Sequence, residues 1–189
     1  MNHVADANAL PKSDEIVAGA ARIADAAEKL LLIAKQSVSD LLDAAPGGDS
    51  QQHASHGLAW LATYAQSLRQ MHVWAERLQA EARFGDTERL ILQIAAHEYG
   101  QQIVGGIVMS QNETIRLGEL GVSRGDARQY EDDVCAVTDG WPMEPAKKAL
   151  AALIAEQPAA TTFGDTGLDE VHAAMRDEMR RFSEAEVRP

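Results

Sequence analysis

Apolar residues in this chain recur every three or four positions over long stretches, and clusters of helix breakers cut that pattern into pieces. Such a pattern admits helices packed side by side and little else. In the first stretch Ile16, Ala20, Ile23, Ala27, Leu30, Leu31 and Ala34 fall along one face, which predicts a long helix over residues 14–43. Ser13 is placed to cap it, and Asp14 and Glu15 lie in the first turn, where the helix dipole favours negative charge. The string AAPGGD (44–49) then breaks the helix. Ser50 is expected to cap a second long helix to about Ala82, striped by Leu58, Leu61, Ala65, Leu68 and Leu78, with Trp60, Tyr64, Met71 and Trp74 on its shoulder. Phe84-Gly85 ends that helix, and Asp86 or Thr87 is expected to cap a third that runs through Leu90, Ile91, Ile94, Ala95, Tyr99 and Ile103 to Gly105-Gly106. The third helix is apolar on more than one side, so it is expected to be the most buried.

The second half is more broken. Residues 107–123 lack a clear period; residues 110–115 are expected to form a short turn of helix within a loop. A fourth helix is predicted over residues 124–138, stopped by Asp139-Gly140-Trp141-Pro142. A fifth spans 145–156, with Pro145 in its first turn. The expected organisation is a flexible arm (1–12), a helical bundle domain (13–156), a linker (157–167) and a last amphipathic helix (168–189). No stretch carries sustained strand alternation. The fold class is therefore all-α: an antiparallel bundle of three long helices joined by short breaks, closed by shorter ones.

Composition narrows the function classes. Only 5% of the 189 residues are aromatic, and the formal net charge is −12. An acidic surface repels phosphate backbones and anionic headgroups, which disfavours nucleic acid and membrane as partners. No apolar run is long enough to span a bilayer. The polar N-terminus, MNHVADANALPKSDE, lacks the pattern of a secretory signal, and it carries acidic residues that a transit peptide avoids. The single cysteine, Cys135, cannot form an internal disulfide; a cytoplasmic setting is the simplest expectation.

Side chains capable of chemistry do not assemble into a known pattern. His53 and His56 would share a helical face, and His97 could be a third metal ligand. However, His97-Glu98 would need a histidine at position 101 to make a zinc-protease motif, and that position is Gln101. No Glu-x-x-His pair of the di-iron type occurs. Cys135 lies beside Glu131, Asp132 and Asp133, unfavourable company for a nucleophile, and is expected to be a small buried hydrophobe. There is no Gly-x-Ser-x-Gly elbow and no glycine-rich phosphate loop. Trp60, Tyr64 and Trp74 could line a ligand groove or simply pack in a core or interface. The sequence thus offers no catalytic, cofactor-binding or metal-binding residue. The most distinctive internal string, GGIVMSQNETIRLGELGV (105–122), mixes polar and apolar residues in a connection of a length that often has a role. Ser110, Gln111, Glu113 and Arg116 are candidates for a domain interface. The alternative is that Glu113 and Arg116 cap and pin neighbouring helices.

Three strings carry a resemblance. QHASHGLAWLATYAQSLRQMHVWAERL and LILQIAAHEYGQQIVGGIVMSQNETIRLGELGV resemble the helical N-terminal extension of acyl-CoA dehydrogenases of the methylsuccinyl-CoA dehydrogenase branch. LDEVHAAMRDEMRRFSEAEVRP resembles the first helix of the acyl-CoA dehydrogenase body. Together they cover most of the chain from about Ser50. The resemblance implies a parent flavoprotein in which a glutamate base removes an α proton while a β hydride passes to FAD. In that branch the step forms mesaconyl-CoA in the ethylmalonyl-CoA route. It further implies that the flavin pocket and base lie in a body beyond Pro189, that this body is the partner of the helical module, and that the parent enzyme is a homo-oligomer. No FAD is expected in this chain, which alone should be catalytically silent. A free-standing helical interaction or scaffold bundle is the competing reading.

Overall fold

The computed structural model describes residues 10–44, 49–158, 160 and 162–187. Six α-helices follow in order: α1 (Ser13–Ala44), α2 (Asp49–Ala80), α3 (Asp86–Gly105), α4 (Arg124–Thr138), α5 (Met143–Ala155) and α6 (Glu170–Phe182). A two-residue hairpin, β1 (Ile107–Val108) and β2 (Thr114–Ile115), and a 3-10 turn (Leu117–Leu120) lie between α3 and α4. The fold is all-α, as the apolar spacing requires. Residues 1–9 of the expected arm, and most of the breaker after α1, lie outside the described residues. Asp49, one residue before Ser50, starts α2. α3 is preceded by Gly85, whose amide donates to the Glu88 carboxylate (2.9 Å), rather than by a capping Asp86 or Thr87. α5 starts at Met143, two residues before Pro145.

The three long helices run up, down and up. Arg69 on α2 donates to both Glu28 oxygens on α1 (2.8 Å each) and pairs with Asp25, while Gln79 reaches Asp14, which sets α1 and α2 antiparallel. Tyr64 donates to Gln102 (2.7 Å) and Trp74 meets Phe84 edge-on, which sets α2 and α3 antiparallel as well. α4 returns along α1, and the Tyr130 hydroxyl donates to the Gly100 carbonyl of α3 (3.3 Å). Burial pushes the Tyr130 pKa well up. α5 packs on α3, with Lys147 paired to Glu98 (2.7 Å).

The core is built from Ile16, Ile23 and Leu30 of α1, Leu61 and Leu68 of α2, Leu92 and Ile103 of α3, and Val134 of α4. Each large side chain removed from water contributes about 1.5–3 kcal/mol. α3 is the most enclosed helix: along it only Asp86, Gln102 and Gly105 are exposed. Its first turn also anchors the chain at two places. Arg89 donates to the Pro11 carbonyl (3.2 Å), and Glu88 accepts from the Asp165 amide (2.6 Å).

Candidate functional site

The bundle has two ends with different chemistry. At one end lies the hairpin. The expectation of a helical turn at 110–115 is corrected here: Ile107 pairs with Ile115 and Val108 with Thr114, antiparallel. The physical reason lies in the β-branched residues on both sides of a polar turn. Ile107 and Ile115 are buried against α2, while Val108 points outward. Gly57 on α2 makes room for this seat, since a Cβ there would lie 2.4 Å from Ile115 Cγ1.

All four sequence candidates are exposed at this end. Ser110 and Glu113 close the hairpin turn: the Met109 and Ser110 amides donate to the Glu113 carbonyl, and the Ser110 hydroxyl donates to the Glu113 carboxylate (3.3 Å). The Arg116 amide donates to the Glu119 carboxylate (2.8 Å), which starts the 3-10 turn. The contacts of Ser110 and Glu113 close the hairpin itself and reach no neighbouring helix among the described residues, and the side chains of Gln111 and Arg116 are exposed. Asn112, beside them, is exposed too and its amide donates to the Ser110 hydroxyl.

The histidines are dispersed. His53 lies 3.5 Å from Glu119, and His56 accepts from the Trp60 indole (3.0 Å). His97, half-buried on α3, has its pKa lowered by burial. Among the described residues no group of three or more His, Cys, Asp or Glu side chains could hold a metal ion. Cys135 is half-buried on α4 rather than a fully buried hydrophobe. The aromatic shoulder of α2 packs on neighbours: the Tyr64 ring lies 4.7 Å from Tyr99, and the Trp74 indole donates to the Asp165 carbonyl (2.9 Å).

The other end carries residues 163–167 and α6. Asp169 caps α6 by accepting from the His172 amide (2.8 Å), which draws its carboxyl pKa down. Helix α6 has no buried residue. Val171, Met175, Met179 and Phe182 share one face and are 56–67% exposed. From Val171 onward the large apolar positions of α6 are exposed, while Leu168, before the helix, is half-buried.

Two clefts among the described residues differ from a flavin pocket. Cofactor pockets are apolar, concave and about 300–1,000 Å3 in volume. The cleft between α1 and α4, lined by Lys29, Leu30, Tyr130 and Asp133 among others, has about 50 Å3 of room. The larger cleft between the end of α2 and the start of α6 is lined mostly by charged groups, including Arg77, Glu81, Arg83, Asp169 and Glu170. The first is smaller than such a pocket, and the second has a charged rather than an apolar lining.

Comparison with known proteins agrees with the resemblance read from the strings above. The chain is 45% identical over 141 residues to a protein of Cereibacter sphaeroides. That relative is a (2S)-methylsuccinyl-CoA dehydrogenase. The match takes in 75% of this chain and 25% of the dehydrogenase, so the chain spans about a quarter of the length of the curated relative it matches. No family model matches the chain. The similarity supports an acyl-CoA dehydrogenase-like origin, and no helix among the described residues is long and apolar enough to cross a membrane.

Proposed function

We propose that these residues form a non-catalytic helical domain that packs at the N-terminal side of an FAD-dependent acyl-CoA dehydrogenase acting on methylsuccinyl-CoA in the cytoplasm. The observation that carries this reading is α6. Its apolar face lies open in water, beside a bundle whose own core is closed. The 45% identity to a methylsuccinyl-CoA dehydrogenase suggests what covers that face. In this reading α6 is the first helix of the dehydrogenase body, and the flavin, the glutamate base and the oligomer contacts belong to that body. The polar hairpin end, with Gln111 and Arg116 facing outward, supplies a second contact with the body.

Co-expression of this chain with a separate dehydrogenase body tests the proposal. The expected result is a stable complex that turns over methylsuccinyl-CoA, with FAD recovered in the body alone. A chain that neither binds the body nor alters its turnover would favour the free-standing scaffold bundle. Stoichiometric flavin bound to this chain by itself would overturn the non-catalytic assignment.

A further inference from the structure

Residues 157–167 have the composition of a linker, yet the last five of them, FGDTG, are held by the bundle through a single residue. Asp165 joins five hydrogen bonds. Its carboxylate accepts from Arg83 Nε (2.8 Å), from Arg83 Nη2 (2.6 Å) and from the Gly167 amide (2.8 Å). Its amide donates to Glu88 Oε1 (2.6 Å), and its carbonyl accepts from the Trp74 indole (2.9 Å). The Gly167 amide and the Arg83 guanidinium hold its carboxyl pKa below the usual range.

Both partner helices are shaped to receive it. α2 closes with Ala82 in a left-handed conformation (φ 55°), and the Arg83 amide turns back to the Leu78 carbonyl (2.8 Å). A non-glycine residue adopts that conformation only when its surroundings fix it. Here it presents Arg83 to Asp165. At the start of α3 the buried Glu88 offers one oxygen to the Gly85 amide and the other to Asp165. Gly167 (φ 67°) then brings the chain so close to α2 that a Cβ would lie 2.5 Å from Arg77 Nη2. A forked guanidinium–carboxylate pair fixes angle as well as distance.

We propose that Asp165 is a positioning residue, a clasp that fastens residues 163–167 to the α2–α3 end and so fixes the direction in which α6 leaves the bundle. From Gly167 only Leu168 and the capping Asp169 separate the fastened segment from α6. Arg176 on α6 reaches back to the Thr166 hydroxyl (3.4 Å), and the first turn of α6 faces the end of α2 across the charged cleft. Bundle and α6 thus move as one body, where a free linker of this composition would let them tumble separately. The proposal concerns this chain alone and stands whichever partner covers α6.

Distance measurement between spin labels tests it on the full chain. Labels are placed on α2 (Gln66→Cys) and on α6 (Met179→Cys) in a Cys135→Ser background. The expected result is one narrow distance distribution, broadened in Asp165→Ala and in Arg83→Gln, while helical content stays constant. Exchange of the Trp74 indole hydrogen should rise at least tenfold in both variants. If Asp165→Ala fails to fold, Arg83→Gln releases the same clasp from the α2 side. A broad distribution before any clasp substitution, or a narrow one with unchanged indole exchange in the folded variant, would overturn the proposal.

Discussion

Helices α3 and α6 invert the usual expectation about amphipathicity. α3 has no clean polar face, and the bundle encloses it on nearly every side. α6 separates apolar from charged residues sharply, and none of its residues is buried. The difference teaches that the width of an apolar face reports how many neighbours a helix needs, while its sharpness says nothing about whether they are present. α3 finds its neighbours in α1, α2, α4 and α5. Among the described residues the main neighbours of α6 are the turn that follows it (Ser183–Val187) and the clasped segment before it.

The sharpest way to break this contrast is to truncate one apolar residue in each helix. Leu92→Ala, at a site fully shielded on α3, should cost about 2–5 kcal/mol in urea unfolding, because it leaves a cavity as well as losing transfer energy. Met175→Ala on α6 should stay within about 0.5 kcal/mol. Equal losses would mean that α6 belongs to the core.

Overpacking tests the bundle side again at the hairpin. Gly57→Ala should destabilise by about 1–3 kcal/mol through the clash with Ile115. In an Ile115→Ala background, which lacks the Cγ1 and Cδ1 that a Cβ at position 57 would meet, Gly57→Ala should cost less, so part of the loss is recovered. No recovery in the same unfolding assay would place the strain elsewhere.

A smaller effect is expected at the α1–α2 seam. Hydrogen bonds from Arg69 draw the Glu28 carboxyl pKa below its ordinary value. A carboxyl depressed in the folded state contributes stability above the ordinary glutamate range and loses it as pH falls through the lowered value. Arg69→Gln should therefore cost about 0.5–1 kcal/mol near neutral pH and progressively less in acid, the pair being partly solvated. A difference between the two proteins that grows on acidification would contradict this assignment.

Removing residues 168–189 should have the smallest effect. With the clasp retained, the melting temperature should move by no more than about 2 °C, the shift expected from roughly 0.5 kcal/mol in a chain of this size. A larger fall in calorimetry would make α6 an integral part of the bundle.

Much of this contrast was legible in the residues. The spacing of Ile16, Ala20 and Ile23 and the all-round apolar character from Leu90 to Ile103 each pointed to the environment observed. The hairpin did not stand out, because strands of two residues give no room for alternation to appear. The clasp was hidden for a different reason. Asp165 sits between small and polar residues that read as a connector, and its partners Trp74, Arg83 and Glu88 are distant in sequence. The usable signal was the pair of glycines flanking the aspartate, a pattern that favours a fixed turn over free chain. At the hairpin, polar composition singled out Ser110, Gln111, Glu113 and Arg116, but only coordinates separate the two that fasten the turn from the two that face outward.

The paired anchors on the first turn of α3 have a consequence for how such a module can be reused. Arg89 grips the chain at Pro11 where it joins the bundle, and the neighbouring Glu88 grips it at Asp165 where it departs. The way in and the way out are therefore side by side, which is the geometry of a cassette that can be spliced into a host surface loop without stretching it.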